Sequence, residues 1–146
     1  MPLVEFSDRD LRRGTVVEPA WYRVKIEEID AEGSLSKDGK STNYVAEATI
    51  LFNGDTGDTT FTGVPITWNF NSKAMGFTRG LFESVGLTLE AHKRYRLEAC
   101  AGREVDMFIG NKPYQGRILN EVNHQYRRIR DDVVARPSDQ PETETA

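Results

Sequence analysis

The sequence predicts an all-β domain with one helix, built from five strands of which three precede the helix and two follow it. Three observations predict that order. Apolar and polar side chains alternate in several short runs, which is the two-residue period of a half-buried strand. Clusters of Gly, Asn, Asp, Ser and Pro punctuate those runs. The period changes once, between residues 71 and 86, to the four-residue spacing of an amphipathic helix.

Residues 1–19 carry mixed charge without a clean period and are expected to form an arm, with Pro19 marking the start of regular structure. In 21–29, Tyr22, Val24 and Ile26 take one side and Trp21, Arg23, Lys25 and Glu27 the other. The first strand is therefore expected to line a core while turning an aromatic ring and two cations outward. Residues 32–42 combine Gly33, Ser34, Ser36, Asp38, Gly39, Ser41 and Thr42 with Lys37 and Lys40, which predicts a long, mobile, basic hairpin loop. A second strand follows at 43–52 and ends in the turn chemistry of Asn53, Gly54, Asp55 and Gly57.

The third strand, 59–70, sets Val64, Ile66, Trp68 and Phe70 on one parity. Gly63 and Pro65 predict a bulge or an edge position within it, because proline cannot donate to a ladder. Asn71 or Ser72 is expected to cap the helix, Phe77, Leu81, Phe82 and Val85 to supply its apolar face, and Gly86 to end it. Gly76 and Gly80 each cost about 1 kcal/mol relative to alanine, so the helix must depend on packing against the sheet. A second helical piece is expected from residue 90 to about 100. Val105, Met107 and Ile109 mark the fourth strand, residues 110–113 a turn, and 114–122 the fifth strand.

A chain of 146 residues can bury one core without staples. The expected division is an arm (1–19), the β domain (20–130) and an acidic tail (131–146). Cys100 has no disulfide partner, and His92 and His124 stand apart with no ligand spacing around them, so no metal or other cofactor is expected. No apolar run nears the roughly 18 residues of a membrane span, and Met1 opens no signal-like segment, so a cytoplasmic protein without membrane association is expected. Gly-rich phosphate loops, HExxH and GxSxG are missing, and no nucleophile stands beside a base. An enzyme is not expected.

The net charge of −4 does not describe the body of the chain. Five acids (Asp131, Asp132, Asp139, Glu142, Glu144) face one base, Arg136, after residue 130, which leaves 18 of each sign in residues 1–130. The tail, with Pro137 and Pro141 and no aromatic residue, is expected to be disordered.

Three strands, a helix and two strands is the order of the OB-fold, a five-stranded Greek-key barrel. The segments AWYRVKIEEIDAEGSLSKDGKSTNYVAEATI and GREVDMFIGNKPYQGRILNEV resemble small phage-encoded single-stranded DNA-binding proteins over roughly residues 14–126. Ser36, Lys37 and Gly39 match the loop motif of that group, Gly102, Arg103 and Val105 the start of its fourth strand, and Tyr114 and Gly116 its last hairpin. The resemblance implies an OB barrel that binds single strands with little sequence preference during phage replication and recombination, in the host cytoplasm. It also implies an acidic tail that engages replication or recombination proteins. The tail departs from the Asp-Phe tip of bacterial single-strand-binding proteins, ending instead in Glu-Thr-Glu-Thr-Ala.

Binding a single strand needs stacking platforms and cations. The expected platforms are Trp21, Tyr44, Phe61 and Tyr114. Trp68 belongs by parity to the core, Phe61 has the opposite parity, Tyr44 shares the core parity but opens a strand beside the loop, and Tyr114 sits at a loop mouth. The expected phosphate contacts are Arg23, Lys25, Lys37, Lys40, Lys112 and Arg117. His92, Lys93, Arg94 and Arg96 form the densest basic patch, either a solvated helix face or a second contact along wrapped DNA. Two other functions suit the same residues: single-stranded RNA binding, and a small β-barrel interaction or virion assembly protein, as monomer or dimer.

Overall fold

The computed structural model describes residues 3–30, 32–35, 37, 39–71 and 75–137, without the side chains of Met75 and Phe77. The alternating runs form antiparallel strands: β1 (Ala20–Ile29), β2 (Ser34–Leu35), β3 (Thr42–Asn53), β4 (Pro65–Asn71), β5 (Glu104–Tyr114) and β6 (Arg117–Arg127). β3 is the hub. It pairs β1 along one edge, from Tyr22↔Asn53 to Ile29↔Ala46, and β4 along the other, from Asn43↔Asn71 to Thr49↔Pro65. Within the loop after β1, β2 pairs Ser34↔Asn43 and Leu35↔Thr42 and so prolongs the first edge. β5 takes the free edge of β1, and β6 that of β5.

The path through the main strands is therefore β4-β3-β1-β5-β6. Among the described residues no ladder joins β4 to β6, and the sheet is open there. A side-chain bond spans the opening, where Trp68 Nε1 donates to the Tyr126 hydroxyl at 2.9 Å.

Strand alternation places the core as the parity argument requires. Val24, Ile26, Ala46, Ala48, Ile50, Ile66, Trp68, Phe70, Val105, Met107 and Ile109 are all buried. Helix α2 (Met75–Ser84) follows β4 and covers the interior with Leu81 and Phe82, and with Val85 just past its end, packing mainly on β6. It ends in a Schellman motif: Gly86 (φ 98°) donates to Glu83 and Leu87 to Phe82. Ser72 lies outside the described residues, and Asn71 ends β4, its Nδ2 donating to Ser41 Oγ at 2.9 Å and to Asn43 Oδ1 at 2.8 Å.

Three expectations are corrected. Residues 59–64 are turns, although Gly63 N–H and Val64 C=O still bond Ile50, so the pairing survives where regular strand geometry does not. The 90–100 segment is helical only in the 3-10 turn Leu97–Cys100. Residues 110–113 continue β5, and the chain reverses at Gln115 (φ 50°) and Gly116 (φ 78°), the two positive values a type I′ hairpin requires. Asn120, opposite Asn111 there, holds the arm: Val17 N–H donates to Asn120 Oδ1 (2.9 Å), and Asn120 Nδ2 donates to Thr15 O (2.8 Å).

The arm itself contains helix α1 (Asp8–Arg12), started by a reciprocal cap in which Ser7 Oγ accepts from Asp10 N–H and Asp10 Oδ2 from Ser7 N–H. After β6 the chain continues along the β3 turn. Val133 is buried and Arg136 N–H bonds Gly57 O at 2.6 Å. The tail acids Asp139, Glu142 and Glu144 lie outside the described residues.

Candidate nucleic-acid interface

Beyond the start of β1, β5 and β6 run on as a free-standing hairpin whose residues 111–118 are all exposed. Lys112 and Tyr114 share a parity, and Arg117 pairs directly with Tyr114, so alternation puts all three on one side. Tyr114 is 52% exposed. No ion pair among the described residues engages Lys112 or Arg117. The same parity of β5 leads back to Phe108, which lies opposite Trp21 with the ring centroids 5.8 Å apart, edge to face. Arg127 lies 4.4 Å over the Trp21 ring, a cation–π geometry. One line along β5 thus carries Trp21, Phe108 and Tyr114 together with Arg127, Lys112 and Arg117.

That line ends against a buried ion network. Asp106 is fully buried, and Arg23 Nε donates to its Oδ1 at 2.8 Å while Arg127 Nε donates to Oδ2 at 3.2 Å. Arg127 also bonds Asp55, and Arg130 stands 3.6 Å from the same carboxylate. Gly54 allows this approach, since a Cβ there would come within 2.9 Å of the Asp106 carboxyl carbon.

Arg23 was expected to face phosphate. Instead it is 5% exposed, packs on Phe52 at 5.0 Å and donates a second bond to Arg130 O, so the chain after β6 covers it. A buried carboxylate on the neighbouring strand outcompetes solvent for its guanidinium.

The remaining expected residues separate into groups. Phe61 is not a free platform, because the turn at 59–64 lays it edge-on against the buried Tyr22 ring, 6.2 Å away. Burial pushes the Tyr22 phenol up to about 12, and its hydroxyl donates to Glu18 O at 2.6 Å. Lys25 is exposed on the outer face of β1, paired in register with Glu104. Lys37 and Lys40 are exposed in the loop beyond the other end of β1, and Ser36 lies outside the described residues. The hairpin and this loop therefore project from opposite ends of a strand about 33 Å long, taking its ten residues at about 3.3 Å each.

Tyr44 points to the inner face of β3, its ring beside Gly33 of the loop, and is half-buried in a cavity of about 470 Å³ between β3, β4, α2 and the segment after it. Phe70, Phe82, Leu89, Tyr95 and Leu97 line this cavity, and Arg79, Lys93 and Arg94 stand at its rim. The basic patch His92 to Arg96 is thus an exposed loop whose members edge an apolar hollow.

The outer face of β3 is also occupied. Arg9 of α1 reaches Glu47 (2.6 Å) and Thr49, Arg13 reaches Glu47 (3.3 Å), and Arg12 donates to Thr62 O. The Arg9 hydrogen bond holds the Glu47 carboxyl below the usual carboxylate range. Residue patterns alone did not single out Phe108 or Arg127. Phe108 shows up only once β5 is paired with β1, and Arg127 only once the strand preceding the tail is seen to curl over Trp21. The signal for α1 was present in the spacing of Ser7 and Asp10.

Among the described residues no helix is long and apolar enough to cross a membrane, and no group of His, Cys, Asp and Glu could hold a metal ion. Comparison with family models and with curated proteins returns no match to this chain.

Proposed function

We propose that this protein binds single-stranded DNA without sequence specificity, in phage replication and recombination, through an OB-type barrel. The strand path β4-β3-β1-β5-β6, with α2 placed between β4 and β5 in the chain, supports the barrel, as does the Trp68 to Tyr126 bond across the remaining opening. The observation that carries the function is the hairpin side bearing an exposed Tyr114 between Lys112 and Arg117, continued by Phe108 and Trp21. Flat rings spaced along a strand beside unpaired cations supply stacking and phosphate neutralisation without reading base edges. The tail acids are proposed to engage replication or recombination proteins.

Titration with oligo-dT across a salt series, followed by tryptophan fluorescence, tests this. Trp68 is 4% exposed, so quenching should come from Trp21 and vanish in Trp21→Phe. Tyr114→Ala should weaken binding by about 1–3 kcal/mol. Arg117→Ala should flatten the slope of log K against log salt by about 0.7, the share of one phosphate on a single strand. Absence of binding at low salt overturns the proposal, and preference for oligo-rU over oligo-dT transfers it to RNA.

A further inference from the structure

Two apolar features lie uncovered among the described residues. Residues 3–6 of the arm expose Leu3 (95%), Val4 (79%) and Phe6 (64%), while the cavity floored by Phe70, Leu89 and Leu97 stands open beside α2. We propose that the arm of one copy seats in this cavity of a second copy, joining copies head to tail.

Charge favours the match. Residues 3–8 hold Glu5 and Asp8 and no base, whereas the rim presents Arg79, Lys93 and Arg94. Among the described residues Arg79 pairs with Glu83, Lys93 pairs with Glu90 and lies 5.7 Å over the Tyr95 ring, both ion pairs being exposed, and Arg94 has no ion pair. Exposed pairs of this kind are weak and exchange readily for a partner that also brings apolar burial. The size is right as well, since about 470 Å³ falls within the range of pockets that enclose an anchoring side chain or small ligand.

The arm does not fill its own cavity. Arg9 and Arg13 anchor α1 to Glu47 on the outer face of β3, and Tyr44, on the opposite parity, lines the cavity on the other face. From that anchor residues 3–6 project outward, exposed. Because arm and cavity are different surfaces, a contact made in one direction only is heterologous and generates a chain or ring of copies.

Sedimentation of the full chain without nucleic acid tests the inference independently of any DNA binding. The wild type should gain mass with concentration past the dimer. Phe6→Asp in the arm and Lys93→Glu with Arg94→Glu at the rim should each weaken association at least about tenfold, as loss of an interface anchor does. All three positions are exposed, so the melting curves should match the wild type. An equimolar mixture of the two variants keeps one competent arm and one competent cavity and should stop at the dimer. A wild type that stays monomeric overturns the proposal, and so does a Phe6→Asp variant that associates as the wild type does.

Discussion

Asp106 is the residue on which the end of the sheet depends, because two guanidinium groups converge on a carboxylate that no water reaches. Removing one member of a buried ion pair leaves its partners charged and desolvated, which costs about 3–5 kcal/mol. Asp106→Ala should therefore lower stability by about that amount in urea unfolding, with Arg23→Ala comparably harmful. Neither change should alter the salt slope of oligonucleotide binding, because Arg23 is sealed beneath the chain after β6. Cys100 is the quiet counterpart: burial pushes its thiol up to about 11, so it should resist alkylation in the folded protein. The alternation of residues 21–25 marked Trp21 and Lys25 correctly as outward. It could not distinguish them from Arg23, because period-two reasoning assigns a face and says nothing about what crosses that face.

At the scale of elements, the opening between β4 and β6 is bridged by a chain of side chains. Trp68 Nε1 donates to the Tyr126 hydroxyl, which lies 3.0 Å from His124 Nδ1. Burial holds the His124 imidazole below its ordinary 6.5, which disfavours its second proton in the folded protein. The unfolded chain binds this proton more readily than the folded one, so stability is complete above pH 6.5 and declines as the pH falls below it. The decline should appear in melting temperatures between pH 7 and 5 and disappear in His124→Gln. Glu47 titrates lower, since Arg9 holds its carboxyl below 4.5, so the contribution of the α1 anchor persists through that window and is lost only in stronger acid. The hairpin shows why turn chemistry read along the chain can miss its place. Gly110, Asn111 and Pro113 look like a reversal, but Asn111 pairs with Asn120 in the β5-β6 ladder, Asn120 is tied to the arm, and the strand runs on to the two positive-φ positions at Gln115 and Gly116.

Over the whole molecule, four of the exposed candidate phosphate contacts stand at the two ends of β1, Lys112 and Arg117 in the hairpin before its start and Lys37 and Lys40 beyond its end. A nucleic-acid strand that touches both must run the length of β1. Lys37→Ala with Lys40→Ala should therefore weaken binding to long oligo-dT and leave short oligonucleotides, held by the hairpin alone, unaffected. Equal loss at every length would place both loops on one short site. What the sequence by itself determined is the all-β class, helix α2 and most of the core, because burial on one face imposes a period that can be read locally at Val24, Ile50, Trp68 and Leu81. What only the tertiary structure decided is which polar side chains remain available. Arg23 meets Asp106 across 83 residues of chain, Phe61 meets Tyr22 across a turn, and Arg127 comes to lie on Trp21. Ion pairing and ring packing are settled by neighbours distant in sequence, and no local period records them.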